Sequence, residues 1–154
     1  MGYTVYFTAK KLKENEIPEQ FWKDAEEILD KVISKGVILA TPGGEEILDS
    51  GHKIINYTEP KEDSVPELVF NGYDDPEGED LSHESFDLRF DGEWNFCKTA
   101  RKPYDLAVKC ILMLADKYGL LQPDNHGVTW SFDGDETDEE YLVAHDLMLD
   151  LKLI

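Results

Sequence analysis

The chain has 154 residues, with 34 acidic side chains against 15 basic ones and a formal charge of −19. That balance excludes unaided binding to nucleic acid and to anionic membrane surfaces, both of which need clustered Lys and Arg. Hydrophobic residues at 41% and charged residues at 32% predict one globular domain over residues 1–154 rather than a disordered chain.

No apolar run reaches the length of a membrane span. The N-terminus lacks the basic start and apolar stretch of a signal peptide. Gly2 is followed at position 6 by Tyr6 where myristoylation needs Ser or Thr. Cys97 and Cys110 are the two cysteines, and Cys110 falls in an apolar helical run. Reduced thiols and a cytoplasmic location are the expectation.

Tyr3, Val5, Phe7 and Ala9 alternate with Thr4, Tyr6 and Thr8, which predicts a strand with one buried face. A helix follows over Ile17–Lys35, with Pro18 in its first turn and Gly36 after its end. Phe21, Trp22, Ala25, Ile28, Leu29, Val32 and Ile33 form its apolar stripe. Val37–Thr41 is a short apolar run, and Pro42-Gly43-Gly44 a turn. That turn lacks the Lys-Ser/Thr of a phosphate loop and is followed by Glu45 and Glu46. His52–Tyr57 reads as a strand. Lys61–Pro66 is a polar connection to the strand Leu68–Phe70. Asn71-Gly72 reads as a hairpin or tight turn, because both residues tolerate positive φ.

Tyr73–Ser82 is an acidic loop. Counted from Asp75 or Asp80 it lacks the glycine and terminal Glu of a calcium loop, and the turn at Asp133 fails likewise. Glu84–Asp91 alternates Phe86, Leu88 and Phe90 against polar residues, a strand, and Trp94–Thr99 is a second. Pro103 opens a helix through Tyr118, with Asp105 placed to reach back to free N–H groups. Gly127–Phe132 is a strand with Val128, Trp130 and Phe132 on one face. Thr137 to Glu140 has the spacing of a capping box. The last helix turns Tyr141, Ala144, Leu147, Met148 and Leu151 inward. Clustered strands favour an α+β fold, one antiparallel sheet of about five to six strands packed against about three helices.

The stretch Glu93–Asp105 holds Lys98, Arg101 and Lys102, one of the two arginines among them, in an otherwise acidic chain. Cys97 sits beside these cations near a helix start, a setting that lowers a thiol pKa, so it is the candidate nucleophile. His83 and Glu84 could return beside it across the hairpin, giving a Cys–His–Glu arrangement for acyl transfer or hydrolysis. The alternative is a small core residue next to Phe96. Lys98, Thr99, Arg101, Lys102 and Tyr104, with Asn71 and Glu84, are the candidate binding residues for a protein or a small anion. Pro103 removes one donor from such an anion site. His52, His83, His126 and His145 show no ligand spacing, so no metal is expected. No G-x-G-x-x-G occurs, and no cofactor is expected.

The run Phe96–Asp105, F-C-K-T-A-R-K-P-Y-D, resembles the signature of a family of small uncharacterised bacterial proteins, often phage-borne. Phe70-Asn71-Gly72, His83-Glu84-Ser85-Phe86 and the turn Ser131–Gly134 are similar to further elements of that family. The family pattern has a second Ser where this chain has Phe132. The resemblance spans roughly residues 68–141. It implies a non-enzymatic binding or accessory protein of phage or mobile-element type and brings no established activity. A Cys97/His83 hydrolase or transferase and an acidic imitator of DNA are the alternatives.

Overall fold

The computed structural model describes residues 3–57 and 64–154. Gly2 and the start of the connection at 61–66 lie outside them. The elements in order are β1 (Thr4–Thr8), α1 (Glu19–Ser34), β2 (Leu39–Ala40), α2 (Gly51–Ile55), β3 (Glu67–Gly72), β4 (Phe86–Arg89), β5 (Trp94–Lys98), α3 (Asp105–Lys117), β6 (Trp130–Phe132) and α4 (Glu139–Asp150). A short 3₁₀ turn, Glu14–Glu16, precedes α1.

The fold is α+β, but the strands form two three-stranded antiparallel sheets, β5-β1-β6 and β2-β3-β4, rather than one sheet. The break falls between β4 and β5, which lie together without a ladder. Side chains close the gap. Asn95 Nδ2 donates to Asp87 O at 3.2 Å, and Phe86 sets its ring against Phe7 of β1 at 5.5 Å and Phe70 of β3 at 5.3 Å.

Helix α3 is the centre of the core, packed on one side by α1 and on another by α4. Its run from Ala107 to Ala115 is buried, because it has neighbours around most of its circumference. Phe21, Ala25, Ile28, Leu29 and Val32 of α1 face it, and Ala144, Leu147 and Met148 of α4 close the other side. Gly36 and Gly119 end α1 and α3 at positive φ, the conformation that a helix stop requires.

Four local expectations are corrected. Residues 52–57 are not a strand: Ser50 Oγ accepts the Lys53 N–H at 3.1 Å and starts the helical turn α2. Asn71-Gly72 is not a turn but the end of β3, paired with Ala40 and Leu39. Gly72 is needed there for a different reason, since a Cβ would lie 2.0 Å from the Leu81 carbonyl oxygen. Strand β6 begins only at Trp130, and Val128 is exposed. Asp124 Oδ1 takes the His126 and Val128 N–H groups at 2.7 and 2.9 Å and holds that segment as a turn. The capping box at 137–140 does not form, because Thr137 gives both its N–H and its hydroxyl to Asp135.

Candidate functional site

The corner between β5 and α3 is a sharp reversal made without glycine. Ala100 and Arg101 both take positive φ, 52° and 58°, a conformation that costs an L-residue about 1–2 kcal/mol. It is held by the Tyr3 carbonyl, which accepts the N–H groups of Thr99 at 3.0 Å and Ala100 at 3.3 Å. The chain then closes through Lys102 N–H to Thr99 O and Asp105 N–H to Lys102 O.

The inward side of the corner is saturated with internal bonds. Tyr104 is fully buried, and its hydroxyl donates to Glu84 O at 2.5 Å. Cys97 is 1% exposed and donates its Sγ–H to the same carbonyl at 3.4 Å. Thr99 Oγ1 donates to Asp105 Oδ1 at 2.7 Å, and Lys109 Nζ donates to Asp105 Oδ2. The Asp105 carboxylate therefore turns into the core instead of capping α3, contrary to its expected role. Asn71 uses its whole amide: Nδ2 donates to Pro42 O at 2.7 Å and His83 O at 3.0 Å. Its Oδ1 accepts from Gly72 N at 2.7 Å and His83 N at 3.1 Å. Glu84 Oε1 accepts the Lys98 N–H at 2.8 Å.

Electrostatics inside the corner favour neutral groups. Burial pushes the Cys97 thiol up from 9.0 to about 12, and nearby Glu84 and Asp105 add to the rise. Burial likewise raises Tyr104 well above the tyrosine range. Lys109 has no exposed surface, and burial pulls it below the usual lysine range against the attraction of Asp105. Its ammonium also lies over the rings of Tyr3 at 4.3 Å and Phe132 at 5.1 Å, which return part of the lost hydration.

The corner's other cations face outward. Lys98 is exposed and runs along the Phe96 ring. Lys102 Nζ donates to the Asp80 carbonyl in the acidic loop at 2.8 Å. Arg101 Nη1 donates to Glu140 Oε1 at 2.8 Å, and its guanidinium stacks over Tyr3 at 4.1 Å. Arg101, Lys102, Pro103 and Leu106 form one wall of an open cleft of about 200 Å³, and Glu139, Glu140 and Val143 form the other. A roomier cleft of about 490 Å³, beside Lys11, Lys13, Pro66 and Phe90, is lined by none of the candidate binding residues.

The candidate residues thus divide. Asn71, Glu84, Cys97, Thr99 and Tyr104 are all engaged in an internal hydrogen-bond network: Cys97 and Tyr104 share the Glu84 carbonyl, Thr99 holds Asp105, and Asn71 holds the backbone of Pro42, Gly72 and His83. Arg101 and Lys102 reach the cleft. His83 joins the network only through its backbone. Its side chain is exposed, and the thiol of Cys97 is bonded to Glu84 O and 4.0 Å from Tyr104 Oη rather than to an imidazole. Sequence reasoning missed Lys109, Tyr3 and Glu140. Lys109 carried a legible signal, a lysine four residues after Asp105 inside an otherwise apolar helix. Among the described residues no cluster of His, Cys, Asp and Glu could hold a metal ion, and no helix is long and apolar enough to cross a membrane. No family model, curated protein or solved structure matches the chain.

Proposed function

We propose that the chain is a non-enzymatic binding or accessory protein, of the phage or mobile-element type that its signature resembles. It engages another protein at the cleft beside residues 95–105. The observation that carries this reading is the division of the corner. Cys97 is buried, with its thiol bonded to the Glu84 carbonyl rather than to an imidazole, while Arg101, Lys102 and Val143 line an open cleft. A thiol raised to about 12 is protonated at neutral pH and is a poor nucleophile. That weighs against a Cys97/His83 hydrolase. A small anion is also disfavoured, because Glu139 and Glu140 line the same cleft as the two cations and Pro103 offers no N–H.

Affinity capture from the source cells tests the reading, comparing the native chain with Val143→Arg, which fills the cleft. One partner in stoichiometric amount, identified by mass spectrometry and lost with Val143→Arg, is expected. Turnover of an ester or thioester substrate that disappears in Cys97→Ser overturns it.

A further inference from the structure

The sheet β5-β1-β6 turns Val5, Phe7 and Cys97 into the core and leaves Tyr6, Trp94 and Phe96 on its outer face. The register sets Tyr6 opposite Phe96 and diagonal to Trp94. Trp94 is 62% exposed and Phe96 39%. The Trp94 ring lies 5.4 Å from that of Phe96 and 6.2 Å from that of Tyr6, tilted only 19° from the latter. A single exposed apolar residue is ordinary, but a tryptophan this open and grouped with two more rings marks a contact site.

Beside Tyr6 and Trp94 the surface dips into a cavity of about 80 Å³, lined also by Gln122, Asp124, Val128 and Ser131. It has room for about three waters at about 30 Å³ each, well short of the roughly 300 Å³ of a drug-sized site. Its charge is one-sided: among the described residues no Lys or Arg lines it. Lys98 is four residues further along β5, against the Phe96 ring. Asp124 is exposed, and its Oδ1 takes the Val128 and His126 N–H groups, which hold its carboxyl below the usual carboxylate range. It is therefore ionised at neutral pH. Tyr6 Oη donates to Asp133 Oδ1 at 2.8 Å, and a phenol bonded to a carboxylate presents a more electron-rich ring face.

We propose that this pocket binds a small free quaternary ammonium compound, its methyl groups against Trp94, Tyr6 and Val128 and its charge toward Asp124. Charge complementarity selects the occupant. A methylated ammonium group needs no hydrogen-bond partner and is held by aromatic faces, and Asp124 supplies the counter-charge. An anion would meet that carboxylate in a chain of charge −19. A neutral sugar would use the rings but leave the charge without a role. The cavity takes the headgroup alone, which favours a free compound over a side chain carried by a protein. The site shares no lining residue with the cleft at Arg101, so it stands or falls apart from the binding-protein reading.

The test titrates choline and its neutral isostere 3,3-dimethyl-1-butanol into the full isotope-labelled chain at constant ionic strength. The Trp94 indole N–H and the Val128 amide are followed by NMR. Choline is expected to shift both saturably and to bind at least about tenfold more tightly than the isostere. Trp94→Leu, a surface change, should weaken choline at least about tenfold, read at Val128, with the circular dichroism spectrum unchanged. Asp124→Asn keeps Oδ1 for the turn and removes only the charge, and should weaken choline about threefold or more. Equal binding of choline and the isostere means apolar adhesion and overturns the proposal. So does the absence of a saturable shift, or an Asp124→Asn variant that binds as the native chain does. Maltose shifting Trp94 where choline does not would make the site one for carbohydrate. A trimethyl-lysine peptide that binds over about tenfold more tightly than choline would make the ligand a modified protein, and either result overturns the free compound.

Discussion

Glu84 binds Lys98 from both ends: its carboxylate accepts the Lys98 N–H at 2.8 Å, and its own N–H donates to the Lys98 carbonyl at 3.2 Å. This pair fastens the segment before β4 to the end of β5, where the two sheets meet without a ladder. Glu84→Ala removes the side-chain half of the clasp and leaves the Lys98 N–H to water. A loss of about 1 kcal/mol is expected, read from the urea midpoint, with Glu84→Gln retaining most of the stability because its amide oxygen can still accept.

Asn71 is the more costly residue. Its amide makes four internal bonds at a position 2% exposed. Asn71→Ala orphans the buried Gly72 N–H and the part-buried backbone groups of Pro42 and His83. An unsatisfied buried group costs about 1–3 kcal/mol, so a loss of at least about 2 kcal/mol is expected. Gly72→Ala should be as damaging, because the obstacle is the Leu81 backbone and not a side chain that can rotate away. Chemical denaturation of the two variants checks both.

The buried pair Lys109–Asp105 predicts a non-additive result. Lys109→Met leaves the Asp105 carboxylate in the core with only Thr99 as donor. Removing one partner of a buried pair costs about 3–5 kcal/mol, whereas removing both charges costs much less. Lys109→Met/Asp105→Asn should therefore recover most of the loss, and a double-mutant cycle measures the coupling.

Alkaline pH should destabilise the chain through its thiols. Cys97 and Cys110 are both raised from 9.0 to about 12 by burial. A raised folded value means that the folded state holds its proton after the unfolded state has lost it. The stabilisation is complete below about pH 9 and is lost as pH rises toward 12, by about 1.4 kcal/mol per pH unit for each thiol. Lys109 acts in the opposite sense, since its value is lowered, and stability from that group rises with pH up to the ordinary lysine range. Comparison with Cys97→Ala isolates the thiol: the variant's urea midpoint should fall less steeply between pH 9 and 10.5, in that sense and by about that slope.

Residue pattern made the three long helices and the strands at Tyr3–Ala9, Glu84–Asp91 and Trp94–Thr99 legible, because α1, α4 and the strands each bury one face and α3 is apolar around most of its circumference. It failed where one side chain decides the backbone. Ser50 turns Ile54 and Ile55 into a helical turn, and Asp124 keeps Val128 out of β6. Asn71-Gly72 carries a turn's composition, yet a close approach by Leu81 explains the glycine and the amide's four bonds explain the asparagine. The stretch Phe96–Asp105 was legible in sequence as a strand-to-helix junction. Which of its side chains point inward was not legible. That depends on the Tyr3 carbonyl and on a lysine buried in α3, both distant in sequence or hidden in an apolar run.

Phe96–Asp105 is a structural corner, and Cys97 is one of its core residues. Iodoacetamide at neutral pH, followed by peptide mass spectrometry, tests it most directly. Native Cys97 should stay unmodified while the urea-unfolded chain is alkylated at both cysteines. Alkylation of native Cys97 at the rate of a free thiol, with the fold intact, would show instead that the thiol is accessible and reactive.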